Sequence, residues 1–311
     1  MMGSGIRTAV LIPCLNEAAT VGSVISGFKD ALPGCDVYVY DNGSADGSAD
    51  VARAAGAVVR SEPNPGKGEV VRRMFAEVDA DVYLIADGDG TYNPADAPLL
   101  VDPLLDEGLD MVVGSRVRRA AADGRRGHVI GNRAFNHLFH RLFGTGFSDI
   151  FSGYRAFSRR FVKSFPATSS GFEIETEISV HASQLRVPIA EIPIDYGPRN
   201  VDSSSKLRTV RDGVKILWAM VVLLKNNRPL ALFGWISAVC AVAALTLGVP
   251  VVIAFIQTGL VERLPTAVLA TGLVVVGLLL WALGLILDSG AQGRIEAKRL
   301  AYLQGVVTTR T

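Results

Sequence analysis

Cysteine is scarce in this 311-residue chain, and the three present, Cys14, Cys35 and Cys240, form no even set and no CxxC pair. A disulfide framework is thereby excluded, and a reducing compartment is expected for the main domain. An excess of one charge is also missing. The net charge is +1, so global electrostatics names no partner, and no nucleic-acid partner is expected. No secretory leader is expected either, because the apolar stretch 9–15 is short, contains Pro13 and runs straight into Asn16 and Glu17. The most telling absence is local. Residues 230–256 and 265–287 hold no charged side chain at all. Each stretch exceeds the ~20 apolar residues that span a bilayer. Two transmembrane helices joined by a turn at 257–264 are therefore expected.

What is present begins with a strand-like run at 82–86 that opens into Asp87-Gly88-Asp89-Gly90-Thr91. Alternate side chains of an extended segment share a face, so Asp87 and Asp89 can converge on one cation. A hard divalent ion takes few carboxylates and completes its shell with water and phosphate oxygens. The competing reading is an ordinary acidic turn, which favours the same residues. Upstream, strands are expected at 8–12, 37–40 and 58–59, and helices at 20–28, from Asp46 or Ser48 to 55, and after Gly66-Lys67-Gly68. A helix at 96–107 and a strand at 111–113 follow. This alternation points to an α/β domain with a mostly parallel sheet. Such sheets bind ligands beyond the carboxyl ends of their strands, where Asp41 and Asp87 both fall.

Asn16, Glu17 and Asp41 follow the first two strands and can line one crevice. There a carboxylate can accept hydrogen bonds from a base or ribose, although Glu17 also suits the start of a helix. Gly66-Lys67-Gly68 lacks the spacing of a P-loop. Its glycines suit close packing, and Lys67 suits contact with a base or a phosphate. Glu173, Glu177 and His181 recur every fourth residue, which predicts a solvated or substrate-facing helix stripe rather than a metal site. Residues 205–227 mix Lys206, Arg208, Arg211 and Lys215 with Leu207, Val210, Val214 and Trp218, the pattern of a helix lying in the membrane interface. Lys225 and Arg228 precede the first apolar stretch, and Arg294, Lys298 and Arg299 follow the second. This bias predicts a multi-pass protein of the cell (inner) membrane with its N-terminal domain in the cytoplasm.

Seven segments carry a resemblance when taken in order. They are Ile12-Pro13-Cys14-Leu15-Asn16-Glu17, Asp41-Asn42-Gly43-Ser44-Ala45-Asp46-Gly47, Gly66-Lys67-Gly68, Asp87-Gly88-Asp89, Gly114-Ser115-Arg116, the stretch from Asp149 through Ser152-Gly153-Tyr154-Arg155, and Ser205-Lys206-Leu207. The chain resembles family 2 glycosyltransferases of the polyprenyl-phosphate type, such as dolichol-phosphate mannose and glucose synthases. The resemblance implies a GT-A domain at 1–204, and the residue pattern read above adds a juxtamembrane helix at 205–228, two transmembrane helices at 229–288 and a cytoplasmic tail at 289–311.

It also implies inverting transfer of a hexose from a nucleotide sugar to polyprenyl phosphate, with Mg²⁺ or Mn²⁺ on Asp87 and Asp89. Pro13, Asn16, Glu17, Asp41, Asn42, Lys67, Asp87 and Gly88 become candidates for the donor. Asp89 and Asp149 become candidates for catalysis, Asp149 as sugar-orienting acid or base, and Arg116, Arg133, Arg199 and Lys206 for the acceptor phosphate. Membrane lipids are expected partners, and a homo-oligomer stays open. Asn42 and Thr91 depart from relatives that carry aspartate and glutamine there, which leaves the donor open, with UDP-hexose favoured slightly over GDP-mannose. Two rivals remain: a processive polysaccharide synthase, whose Gln-x-x-Arg-Trp motif is missing, and a non-catalytic membrane scaffold, against which the paired Asp87 and Asp89 argue.

Overall fold

The computed structural model describes residues 5–116, 149–171, 173–197, 221–222, 224–226 and 228–305. Short apolar runs become the strands of one sheet: β1 (Thr8–Cys14), β2 (Asp36–Asp41), β3 (Val58–Ser61), β4 (Val82–Ile85), β5 (Met111–Ser115), β6 (Arg155–Ser158) and β7 (Ile189–Pro193). Their order is β3-β2-β1-β4-β6-β5-β7. Only β6 runs against its neighbours. The other pairs are parallel, as the alternation of strands and helices predicts. Helices α1 (Val21–Ala31), α2 (Ser48–Ala54), α3 (Lys67–Glu77), α4 (Ala97–Asp106), α5 (Arg159–Ser164) and α6 (Ile174–Leu185) connect them. The helical spacing at 21, 24, 25 and 28 does bury one face of α1, against a core that includes Val10, Ile12, Leu84 and Tyr154.

Two local expectations change. Pro13 does not end β1, which continues to Cys14. The Leu11 carbonyl accepts from Ala86 N on the β4 side, and two residues on Pro13 faces the same way, beyond the last β1–β4 pair, Leu11↔Ile85. No ladder bond is lost there, so proline is tolerated. Neither Asp46 nor Ser48 is the cap of α2. Gly47 occupies that position at φ +85°, and Asp46 Oδ1 accepts from Ser48 N at 3.0 Å.

Of the stripe at 173, 177 and 181, only Glu173, just ahead of α6, is exposed. Glu177 and His181 are buried in α6, whose residues from Ile174 to Ala182 are all enclosed. Glu177 accepts from Thr168 N at 3.0 Å and from Ser169 N at 2.8 Å. His181 sits edge-on to Phe161 and Phe165, with Nε2 3.0 Å from Ser164 Oγ. Burial, with Lys298 nearby, pushes its pKa down to about 3. The unfolded chain would protonate His181 near pH 6.5, and the folded chain does so only well below that. Its contribution is therefore intact above 6.5 and lost as pH falls. Acidification from 6.5 to 5 is expected to cost about 2 kcal/mol of stability through this group. Denaturant melts of wild type and His181→Leu check it: the substitution should flatten the slope, and equal slopes would refute the assignment.

The chain parts into two units, Met1–Gly213 with Ala297–Thr311, and Val214–Glu296. The second unit holds α7 (Pro229–Thr258) and most of α8 (Leu264–Leu303). Both helices are long and apolar enough to cross a membrane. The buried residues of α8, Ala270, Gly277, Gly284 and Ala291, recur every seventh position. This spacing forms a seam against α7, in which Ser237 Oγ donates to the Gly277 carbonyl at 2.8 Å and Gly284 lies on Phe233 and Leu230. Large apolar side chains such as Trp235, Ile256, Leu279 and Ile286 point outward. The segment expected as a tail from 289 begins as helix. Its last turns belong with the first unit, where Tyr302 donates to buried Asp110 at 2.7 Å and Arg299 donates to the Leu185 carbonyl at 3.3 Å.

Candidate active site

The carboxyl ends of β1, β2 and β4 carry the loops that hold the expected donor residues. The first two loops brace each other. Asn16 N donates to Ser44 Oγ at 2.9 Å, Glu17 N to Ser48 Oγ at 2.8 Å and Ala18 N to Asp46 Oδ2 at 3.0 Å. Asn16 adopts the left-handed region at φ +55°, and its Oδ1 accepts from Ala45 N at 2.9 Å. Asp41 accepts from Ser44 N at 3.3 Å with both oxygens. The Asn42 amide is engaged elsewhere. It donates to the Glu62 and Asn64 carbonyls at 2.9 and 2.7 Å and accepts from Gly66 N at 2.8 Å.

The acidic turn after β4 lies at the centre. Asp89 is buried, and its Oδ1 accepts from Thr91 N at 3.1 Å and from Thr91 Oγ1 at 2.6 Å. Thr91 thus shapes the turn around Asp89. Gly88 leaves room for the Glu17 carboxyl, since a Cβ there would meet Glu17 Oε2 and force it to shift. That oxygen is buried without a hydrogen-bond partner. Burial first, and then the charges of Asp87 and Asp89, push the Glu17 carboxyl up to about 8. Lys67, at the first turn of α3, sits 2.6 Å from Asp87 Oδ1 and 2.6 Å from Glu175 Oε1. Burial alone would lower its pKa, but the two carboxylates raise it, and Lys67 is a fixed cation. Gly66 and Gly68 do allow close packing, and what they accommodate is the carbonyl groups of Ser170 and Ser169.

On the other flank, Asp149 and Arg116 form a bidentate pair, with Nε and Nη2 at 2.6 and 2.7 Å. Burial would raise the Asp149 pKa, but Arg116 holds it below the usual carboxylate range. Such a carboxylate is a weak proton acceptor and a firm anchor. Arg116 also lies over the Tyr196 ring, 5.4 Å from its centroid. Tyr92 OH accepts from Gly153 N at 2.9 Å, fixing the loop after Asp149. Arg133, Arg199 and Lys206 lie outside the described residues. Sequence reasoning passed over Glu175, Tyr92 and Tyr196. Tyr92 had a signal, its place just beyond the acidic turn; Glu175 and Tyr196 had none that is local.

No three acidic, histidine or cysteine side chains form a ready-made cage among the described residues. Asp87 and Asp89 are hard oxygen donors, and Glu17 brings an unpartnered oxygen beside them. This set fits a cation that keeps few protein ligands and completes its shell with diphosphate and water.

A mostly parallel sheet with an acidic turn at its carboxyl edge is the arrangement of GT-A glycosyltransferases, and the comparisons assign the chain to that class. Residues 9–165 match Glycosyl transferase family 2, and the chain belongs to that family. Glycosyltransferase AglJ of Haloferax volcanii is 38% identical over 252 residues, covering 79% of this chain and 80% of the relative. A dolichyl-phosphate hexose transferase of the same organism is 30% identical over 61% of this chain and 83% of its own length. Among solved structures, glucosyl-3-phosphoglycerate synthase of Mycobacterium tuberculosis, in complex with Mn²⁺, UDP-glucose and glycerol 3-phosphate, superposes with a TM-score of 0.58. It is 28% identical and covers 71% of this chain and 80% of its own. This family 2 glycosyltransferase carries two helices long and apolar enough to cross a membrane.

Proposed function

We propose that the protein transfers a hexose, with inversion, from a nucleotide sugar to polyprenyl phosphate at the cytoplasmic face of the membrane. The observation that carries this reading is the meeting of Asp87, Asp89 and the unpartnered Glu17 oxygen at the sheet's carboxyl edge, in a chain with two bilayer-length helices. A phosphate oxygen of the lipid attacks the anomeric carbon, a new carbon–oxygen bond forms, and the bond to the nucleoside diphosphate breaks. The acceptor is already anionic, so no strong base is needed. That agrees with an Asp149 held by Arg116 as an anchor for the sugar rather than as a base. Asp87 and Asp89 would hold Mg²⁺ or Mn²⁺, which when bound neutralises charge on the leaving diphosphate. Asn16, Glu17 and Asp41 border the nucleoside side, and Pro13 and Gly88 form its floor. Arg116 borders the acceptor side, to which we also assign Arg133, Arg199 and Lys206.

Two things support a UDP-hexose and a lipid phosphate: the UDP-glucose bound to the solved neighbour, and the name of the dolichyl-phosphate relative. Arg228 before α7, and Arg294, Lys298 and Arg299 late in α8, favour an orientation with both ends in the cytoplasm. The test is a panel of UDP- and GDP-sugars with the purified protein, Mn²⁺ or Mg²⁺, and undecaprenyl or dolichyl phosphate. A lipid-linked sugar formed from a UDP-hexose is expected. Product formed equally well without lipid phosphate would overturn the acceptor, and preference for GDP-mannose would overturn the donor.

A further inference from the structure

Glu175 has no part in the reading above, yet it touches the centre of the site. It projects from α6 and is buried. Its Oε1 lies 2.6 Å from Lys67 Nζ, as far as the same nitrogen lies from Asp87 Oδ1. One enclosed cation is therefore shared between a carboxylate placed to hold a metal and one set back from it. The packing leaves the lysine little freedom. A Cβ on Gly153 would crowd both Asp87 Oδ2 and Lys67 Nζ, so the loop after Asp149 closes directly over the pair. Next to it, the buried guanidinium of Arg155 bonds neutral groups, the carbonyls of Ser152 and Ile150, the Ser179 hydroxyl and the Met111 sulfur. Glu175 and Asp149 balance its charge from further away.

A divalent cation on Asp87 must compete with Lys67 for that carboxylate. Its success depends on how fully the lysine is drawn to its other partner. We infer that Glu175 is a positioning residue for metal binding: it holds Lys67 partly off Asp87 and so keeps Asp87 available to the cation. Without the Glu175 charge, Lys67 falls wholly on Asp87 and repels the metal at short range. This inference rests on the proposed metal site at Asp87 and Asp89, and it adds that the occupancy of this site is set from α6.

The readout is Mn²⁺ affinity without donor, measured by electron paramagnetic resonance on the purified full-length protein in detergent. Glu175→Gln is expected to weaken Mn²⁺ binding by about 10–100-fold, as removal of a ligand's supporting partner does. In a Lys67→Met background the same substitution should cost several-fold less, because the competing cation is gone. A loss of equal size in both backgrounds would mean a simple field effect and would overturn the inference, as would no loss at all. Glu175→Asp keeps the charge but shortens the arm; it should also weaken binding, and it serves if Glu175→Gln does not fold. Unchanged affinity in Glu175→Asp counts against the inference. The metal reading fails separately, if wild type binds no Mn²⁺ or Asp87→Asn binds it as well as wild type.

Discussion

Asp89→Asn is expected to lower the initial rate of sugar transfer by about 10²–10³-fold, the loss typical of removing one group that stabilises transition-state charge. The melting temperature should stay within a few degrees of wild type. The asparagine has the same shape, and its carbonyl oxygen can still accept from Thr91 N and Thr91 Oγ1. The negative charge disappears and one acceptor oxygen becomes a donor, while the bonds from Thr91 can be kept, so melts and rates together separate chemistry from folding. Asp87→Asn is less clean, because it strips Lys67 of one of two carboxylates in a desolvated triad and carries a stability cost of its own. Initial rates with a labelled donor, alongside thermal melts, give the answer. An Asp89→Asn enzyme as fast as wild type would end the metal-dependent reading.

The second large effect is structural. Gly68→Ala is expected to destabilise the protein by about 3 kcal/mol, the upper range for forcing an extra carbon into a packed region. The added Cβ would overlap the carbonyl of Ser169 and the carbonyl carbon of Ser170, which are backbone atoms and cannot swing aside as a side-chain tip would. The hydrogen bond from Gly68 N to the Ser170 carbonyl, at 3.0 Å, is strained at the same time. Since Lys67 is the neighbouring residue, the displacement should also reach Asp87 and lower transfer. Denaturant melts measure the first effect and initial rates the second. A variant with wild-type stability would show that the 167–171 segment does not pack on α3 as described.

Much of this was legible in the sequence because the decisive signals are local. Buried strands betray themselves as apolar runs, and the acidic turns stand at their ends, so the positions of Asp41, Asp87 and Asp89 could be read directly. The antiparallel β6 could not. It has four residues and begins with Arg155, a side chain that argues for surface until its buried hydrogen bonds are seen. Glu175 was hidden for a related reason. A period of four singled out 173, 177 and 181, but only Glu173 is exposed, and α6 is enclosed from Ile174 to Ala182, so the period marked no solvated face along the helix. What α6 packs against is set by long-range contacts, which no window along the chain contains. The same holds for Asp149, whose motif was visible while its grip on Arg116, distant in the chain, was not.

Asn42 has a practical consequence for redesign. Its amide clips the end of β2 to the Glu62 and Asn64 carbonyls and to Gly66 N, using both donor and acceptor faces. An aspartate has no proton to offer those two carbonyls. Grafting the aspartate of a relative onto this position to change donor preference would unfasten the loop that leads into Lys67. Engineering of the base pocket is better directed to Asp41 and the residues around it, with position 42 treated as a hinge pin and left alone.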